Sequence, residues 1–268
     1  MAYEIINGEA LEEMSRLIAR GVRVGMCFAD PPQEITSCEW DTMIPLEPMW
    51  DCLRRLVPPD RAIALMTNEP YGSLCVASNL QEYRHEWVWL KNRASNFLNA
   101  SVQPLKEHED IKVFSRRPVY YKATKEGGFA PVKFARRKAH SSPAYNAHGE
   151  SVNNAGDTTR YPRTVLEFDC LDNCSPERVH VNQKPVDLLR YIIALYTDAG
   201  DTVLDFTAGS FSTGVACVIE GRDFIGIEQS EEYCRIGEAR MKRACGIPAD
   251  IPKLNRRQID TPLFGFGG

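Results

Sequence analysis

The sequence predicts an α/β fold in which a mainly parallel central sheet is flanked by helices and interrupted by one inserted basic region. Three observations predict it. Short apolar runs alternate with amphipathic stretches through about residue 115, and the alternation returns at Val186. Two of the runs, Val22 to Phe28 and Thr202 to Leu204, lead directly into carboxylates, at Asp30 and Asp205. Such positions lie at the carboxyl ends of strands, where open α/β sheets bind their ligands. The roughly fifty residues between the two halves are basic, rich in Pro, Ser, Asn and Gly, and carry no sustained period.

Taken in order, Tyr3 to Asn7 reads as a strand and Ala10 to Ala19 as a helix. Val22 to Phe28 then reads as a buried strand that delivers Asp30, and Ala62 to Thr67 as another strand. Glu86 to Leu90 and Asp110 to Phe114 cluster apolar and aromatic residues as strands do, with a polar loop from Asn92 to His108 between them. Val186 to Tyr196 has helical spacing, with Pro185 in its first turn and Gly200 beyond its end. A strand, a glycine-containing turn and a helix follow. Asp223 to Ile227 is a strand ending in Glu228, and Glu231 to Ala244 a helix with acidic residues first and basic residues last, as the helix dipole prefers. The organisation expected is residues 1–111 as one half of a domain, 112–163 as the insertion, 164–245 as the other half, and 246–268 as a loosely packed tail.

The 268 residues suffice for one core without staples. The cysteines are nine in number and scattered (Cys27, Cys38, Cys52, Cys75, Cys170, Cys174, Cys217, Cys234, Cys245), which suits a reducing compartment, and no signal peptide or membrane-length apolar run appears; a cytoplasmic protein is expected. The formal charge of −4 hides an asymmetry. From Lys112 to Arg163 eleven Lys and Arg face three Asp and Glu, so this stretch carries +8 and the remainder −12.

Asp205, Gly209, the helix from about Thr213 and Glu228 reproduce the layout that holds an adenosine-containing cofactor. The carboxylate ending the second strand accepts ribose hydroxyls, and the turn lets a ligand approach the backbone. No phosphate-binding Lys follows the glycines, which excludes a triphosphate loop, and the dinucleotide G-x-G-x-x-G spacing is absent.

Three segments around that layout are specific: Asn182-Gln183-Lys184-Pro185-Val186, Gly200-Asp201-Thr202-Val203-Leu204-Asp205 and Phe224-Ile225-Gly226-Ile227-Glu228. Together with Ala29-Asp30-Pro31-Pro32-Gln33, Trp87 to Trp89, Asn96-Phe97-Leu98-Asn99-Ala100 and His108-Glu109, they resemble the permuted, beta-type DNA amino-methyltransferases, including phage and prophage adenine-specific enzymes, with the catalytic half written first. The resemblance implies a Rossmann-like methyltransferase fold, S-adenosylmethionine as cofactor and double-stranded DNA as substrate, with adenine N6 the expected acceptor. Cytosine N4 stays open, because the same acceptor arrangement serves either amine. It also implies that Lys184, Asp205, Gly209, Ser210, Phe211 and Glu228 form the cofactor pocket.

Methylating an exocyclic amine is hard because the nitrogen lone pair is delocalised into the ring. Two acceptors on the two N–H hydrogens draw that pair out of the plane towards the electrophile. The Asp30 carboxylate and the Pro31 carbonyl suit the task, and Pro31 and Pro32 stiffen the loop that presents them.

The sequence departs from the family pattern at three places. Gln33 stands where an aromatic stacks on the flipped base, a change worth about 1–3 kcal/mol of stacking. Gln33 is expected at the base-contact position, bonding a base edge, unless Tyr71 or Trp40 supplies the stacking. Thr207 replaces an aromatic and Phe211 a glycine. At a positive φ a bulky residue costs roughly 1–2 kcal/mol, with Phe206 or Phe211 expected to pack on the cofactor adenine from a shifted position.

The insertion interleaves Arg116, Arg117, Lys133, Arg136, Arg137 and Lys138 with Tyr120, Tyr121, Phe129, Phe134 and Tyr145. Cations for phosphates and aromatics for unstacked bases are what DNA target recognition uses. No metal is expected, since the Cys170, Cys174 and His180 spacing lacks a fourth ligand. Trp87 and Trp89 read as core packing. Two competing readings remain: a degenerate methyltransferase kept as a DNA-binding or protein-interaction module, motivated by Gln33, Thr207 and Phe211, and altered chemistry on the same scaffold. A homodimer or a complex with another protein is left open.

Overall fold

The structure is a computed structural model that describes residues 2–34, 41–137, 140–142, 145–148, 151–172, 175, 178–180 and 182–252. The chain divides into two compact units, Met1–Lys122 with Thr164–Gly268, and Ala123–Arg163. Among the described residues no helix is long and apolar enough to cross a membrane.

The larger unit is built on an eight-stranded sheet. Its strands are β1 (Tyr3–Asn7), β2 (Met26–Ala29), β3 (Ala62–Thr67), β4 (Tyr83–Ser95), β5 (Lys106–Phe114), β10 (Val165–Glu167), β11 (Thr202–Asp205) and β12 (Asp223–Glu228), in the spatial order β1-β12-β11-β2-β3-β5-β4-β10. Only β5 runs against its neighbours. The central strands β2 and β3 are buried at every position, as a sheet covered on both faces requires.

One face is covered by α1 (Ala10–Ala19), α2 (Leu46–Leu56) and α3 (Tyr71–Ser78), which contribute Met14, Leu17, Met49, Trp50, Leu53 and Tyr71 to its core. The opposite face is covered by α4 (Val186–Tyr196), α5 (Ser212–Glu220) and α6 (Glu231–Ala244), through Leu188, Ile192, Ala216 and Met241. Local sequence explains the helices. Glu9 caps α1 by accepting from the Glu12 amide, and α1 buries Ala10, Met14 and Leu17 on one stripe. Ser230 caps α6 the same way, and Lys242 and Arg243 stand in its last turn.

Several sequence-based expectations need correction. β2 starts at Met26 rather than Val22, because the Val24 and Gly25 amides bond to Leu56 and Thr202 before the ladder begins. The loop expected from Asn92 to His108 is shorter, since β4 runs on to Ser95 and β5 begins at Lys106. Lys112 to Phe114 complete β5, so the compact insert starts at Ala123, not at 112. The insert also has regular structure of its own: β6 (Arg136–Arg137) pairs with β9 (Ser151–Val152), and β7 (His140–Ser142) with β8 (Tyr145–His148). Within it, Lys125 binds Asp157 at 2.7 Å and Arg160 lies over Phe129.

Candidate active site

From β2 the chain moves through β3 towards one edge of the sheet, and from β11 through β12 towards the other, so the order reverses between β2 and β11. Open α/β sheets bind ligands in the crevice at that reversal. The two strands pair directly, Val203 with Met26 and Leu204 with Cys27. The carboxylates that follow them, Asp205 and Asp30, therefore emerge side by side.

Asp30 is held from two directions. Lys184 Nζ donates to its Oδ2 at 2.5 Å, and Gln33 Nε2 to its Oδ1 at 3.2 Å. Lys184 also lies 3.4 Å from Glu109 Oε2, and Lys91 Nζ donates to Glu109 Oε1 at 3.1 Å. Burial raises the Asp30 pKa above its ordinary value, with Lys184 pulling the other way and Glu109 and Asp41 adding to the rise. Burial alone would lower Lys184, but Asp30 and Glu109 outweigh it and hold the ammonium above its ordinary range. Burial alone would raise Glu109, and Lys184 and Lys91 reverse the sign.

Gln33, expected at the base-contact position, has its amide engaged within the protein. It is 8 % exposed, accepts from the Asn68 amide at 2.6 Å, donates to the Met66 carbonyl at 3.3 Å, and so ties the Asp30 loop to the end of β3. Asp41 fixes the next turn by accepting from the Gln33 and Glu34 amides at 2.7 and 3.0 Å. Pro31 is buried and Pro32 half-buried. Tyr71 is buried in the core and offers no platform, and Trp40 lies outside the described residues. Lys184, expected in the cofactor pocket, is bonded to the Asp30 carboxylate.

On the cofactor side, Asp205 accepts from the Thr207 amide at 3.1 Å, and burial pushes its pKa up to about 7. Gly209, at φ +48°, donates its amide to Glu228 Oε2, and Ser230 donates to Oε1, both at 2.8 Å. Each carboxylate oxygen keeps a lone pair for a ribose hydroxyl. Burial raises the Glu228 pKa against these amides. The Thr207 hydroxyl is buried without a hydrogen-bond partner at this turn.

Phe211 keeps the left-handed backbone of the glycine it replaces, at φ 59°, as the residue preceding α5. Its ring does not reach the pocket. It is fully buried against Phe224, in the space left by Gly226 and Gly237, where an added Cβ would stand 2.8 and 2.3 Å from ring carbons. Burying a Phe side chain is worth about 1.5–3 kcal/mol, enough to offset the backbone strain. Phe206 is likewise core, on the opposite face. The Ser210 hydroxyl is shared with Ser212 at 3.0 Å, and the Ser210 carbonyl accepts from Arg240. The turn thus brings together a glycine, a carboxylate and a buried hydroxyl without a partner, a donor set that fits an adenosine-containing methyl donor.

Sequence reasoning gave no site role to three contributors, although Glu109 stood within a matching segment and His180 within the spacing considered for zinc. His180 lies beside Gly209, 3.8 Å from where its Cβ would be, stacks edgewise on Tyr233 and accepts from the Asn182 amide; burial and Lys184 lower its pKa to about 3, which keeps the ring neutral. Lys91 and Glu109 carried a legible signal. Each continues an alternating buried face, Trp87-Trp89-Lys91 and Val113-Ile111-Glu109, with a charge where an apolar residue was due. Trp87 and Trp89 are core residues, as expected.

The basic residues fall in both compact units. Because β5 runs antiparallel to β3, Phe114 lies beside Ile63, and Arg116 and Arg117 emerge at the end of the sheet opposite Asp30, bonded to Val57 and Pro59. Lys133 and Arg136 are exposed in the insert, Arg137 is in β6, and Lys138 lies outside the described residues, as does Cys174 of the spacing considered for zinc.

The fold is that of a Rossmann-like methyltransferase, with the Asp30 carboxylate beside the turn that follows Asp205. The chain belongs to the DNA methylase family that modifies N6 or N4 amines, whose model matches residues 26–239 and spans both halves of the site. The methyl donor of that family is S-adenosylmethionine. The chain is 27 % identical to the DNA adenine methyltransferase YhdJ of Escherichia coli K12 over 280 aligned residues, covering 96 % of this chain and 89 % of YhdJ. It is 29 % identical to the type II methyltransferase M.HpaI of Haemophilus parainfluenzae over 135 residues, half of this chain and 38 % of that one. Among solved structures, the complex of M1.HpyAVI with S-adenosylmethionine superposes with a TM-score of 0.60 at 18 % identity, covering 89 % of this chain and 99 % of that one. The cytosine-N4-specific PvuII methyltransferase superposes with a TM-score of 0.61 at 12 % identity, covering 92 % and 91 %.

Proposed function

We propose that this protein transfers a methyl group from S-adenosylmethionine to adenine N6 within a short sequence of double-stranded DNA. One observation carries the reading: the Asp30 carboxylate emerges beside Asp205 at the strand-order reversal, already fixed by Lys184 and Gln33. Similarity to an adenine methyltransferase along nearly the whole chain supports adenine over cytosine.

A carboxylate offers about four lone-pair positions, so the two bonds to Asp30 leave acceptors for an amine hydrogen. The Pro31 carbonyl takes the second hydrogen. The amine nitrogen is thereby pyramidalised and aimed, and the proton it sheds after transfer passes to Asp30. Glu228 and the Gly209 turn hold the adenosine end of the donor, beside the neutral His180 ring, and the bound donor supplies an electrophilic methyl that needs no further activation. The inward turn of Phe211 and the bracing role of Gln33 support an enzyme over a degenerate binding module, because both departures are absorbed without entering the pocket. The unit Ala123–Arg163, with Lys133 and Arg136, is the proposed target-recognition region.

The test is mass spectrometry of nucleosides from unmethylated genomic DNA incubated with protein and donor. N6-methyladenine from the wild type and none above background from Asp30→Ala is the expected result. N4-methylcytosine would overturn the base assignment, and no methylated nucleoside would overturn the reading.

A further inference from the structure

Four buried or half-buried charges alternate in sign from the β4/β5 ladder into the loop after β2: Lys91, Glu109, Lys184 and Asp30. The side chains of Lys91, Glu109 and Lys184 are 9, 14 and 13 % exposed. Lys184 is bonded tightly to Asp30 at 2.5 Å and only loosely to Glu109 at 3.4 Å, while the buried Glu109 Oε2 makes no aligned hydrogen bond. Buried ion pairs give little net stability over apolar residues of the same shape, because desolvation consumes their attraction. A run of four that ends on the acceptor carboxylate therefore points to a task other than folding.

We infer that Lys184, backed by Glu109 and Lys91, is a positioning residue that keeps the Asp30 carboxylate ionised and aimed at the target amine. The inference rests on the role of Asp30 given above. Lys184 favours the anion directly. Glu109 fixes the ammonium from behind at the cost of disfavouring the anion, and Lys91 neutralises Glu109 so that the disfavour stays small. The other groups facing Asp30 among the described residues are Asp41 from the loop after it, Asp205 from β11 and Tyr71 from α3; none of the three is a cation, which leaves Lys184 as the described cation acting on it.

This arrangement makes a sign prediction that a purely structural role does not. In single-turnover methylation with donor and duplex saturating, Lys184→Met is expected to move the acid limb of the pH–rate profile up by about one pH unit, as loss of an adjacent opposite charge does. Glu109→Gln is expected to move it down, with the KM for the donor unchanged within about twofold. The double variant falls between them, and Lys184→Arg restores the wild-type limb. Glu109→Gln is isosteric and decides the matter alone should Lys184→Met not fold: a limb that stays or moves up overturns the inference. Titration of the Asp30 carboxyl carbon by carbon-13 NMR reads the same opposed displacements without turnover. A wild type that methylates no DNA would therefore overturn the proposed reaction while the NMR titration still decides the role of Lys184.

Discussion

Replacing Phe211 by glycine restores the residue that the methyltransferase pattern carries there, and on sequence alone it should repair the cofactor turn. The structure gives the opposite expectation. The ring is fully buried against Phe224 and fills the space over Gly226 and Gly237. Truncating a buried Phe costs about 3–5 kcal/mol including the cavity, relief of the left-handed strain returns about 1–2, and the freer glycine backbone costs about 0.5–1. The net is a loss of about 2–4 kcal/mol, or a melting temperature lower by about 5–15 °C for a chain of this size. A cycle with Gly237→Ala isolates the cause. The new Cβ would lie 2.3 to 2.6 Å from Phe211 ring carbons, so Gly237→Ala is damaging alone but tolerated once the ring is truncated in Phe211→Ala. A coupling of about 1–3 kcal/mol is expected, measured by thermal or denaturant unfolding. A Phe211→Gly protein that melts no lower than wild type and binds the donor more tightly would refute the reasoning.

Gln33→Ala leaves the Asn68 amide unpaired and frees Asp30 Oδ1, with an expected stability loss of about 1–3 kcal/mol and slower methyl transfer. Gln33→Tyr lacks the amide that bridges Asp30, Met66 and Asn68, so it too lowers the single-turnover rate instead of raising it. Asp205 has a folded pKa of about 7 against an ordinary 3.8, so its contribution to stability is full below the lower value and declines as pH rises to the higher one. Asp205→Asn without donor is therefore expected to gain in melting temperature over wild type from about pH 4 to pH 7 and then level off; a gain that grows towards low pH would contradict this. Charge reversal at Lys133 and Arg136 weakens DNA binding and flattens its salt dependence, whereas reversal at Arg116 and Arg117 leaves both unchanged in a fluorescence-anisotropy titration.

Elements whose own period is strong were legible: β1, β3, α1, α4 and α6 fall at the residues the apolar spacing predicts. The insert's ladders are two to four residues a strand, too short to leave a pattern. Asp30, Asp205 and Glu228 were legible because each closes an apolar run. The directions of neighbouring side chains were not. Lys184 was grouped with the cofactor half by its place in the chain, yet its partner Asp30 is 154 residues away. Phe211 read as an obstruction because a sequence shows the turn but not which way the ring leaves it, and the compensating Gly226 and Gly237 mean nothing taken singly. Arg116 and Arg117 were counted with the insert because charge counting ignores that the chain after β5 still belongs to the larger unit.

The claim on which everything else depends is that the altered turn from Asp205 to Ser212 still holds the methyl donor. Calorimetric titration of the wild-type protein with S-adenosylmethionine, with and without duplex DNA, tests it most directly. Saturable binding at micromolar donor, lost in Glu228→Ala, is the expected result. No heat at millimolar donor while DNA still binds would contradict it and return the chain to the class of binding modules.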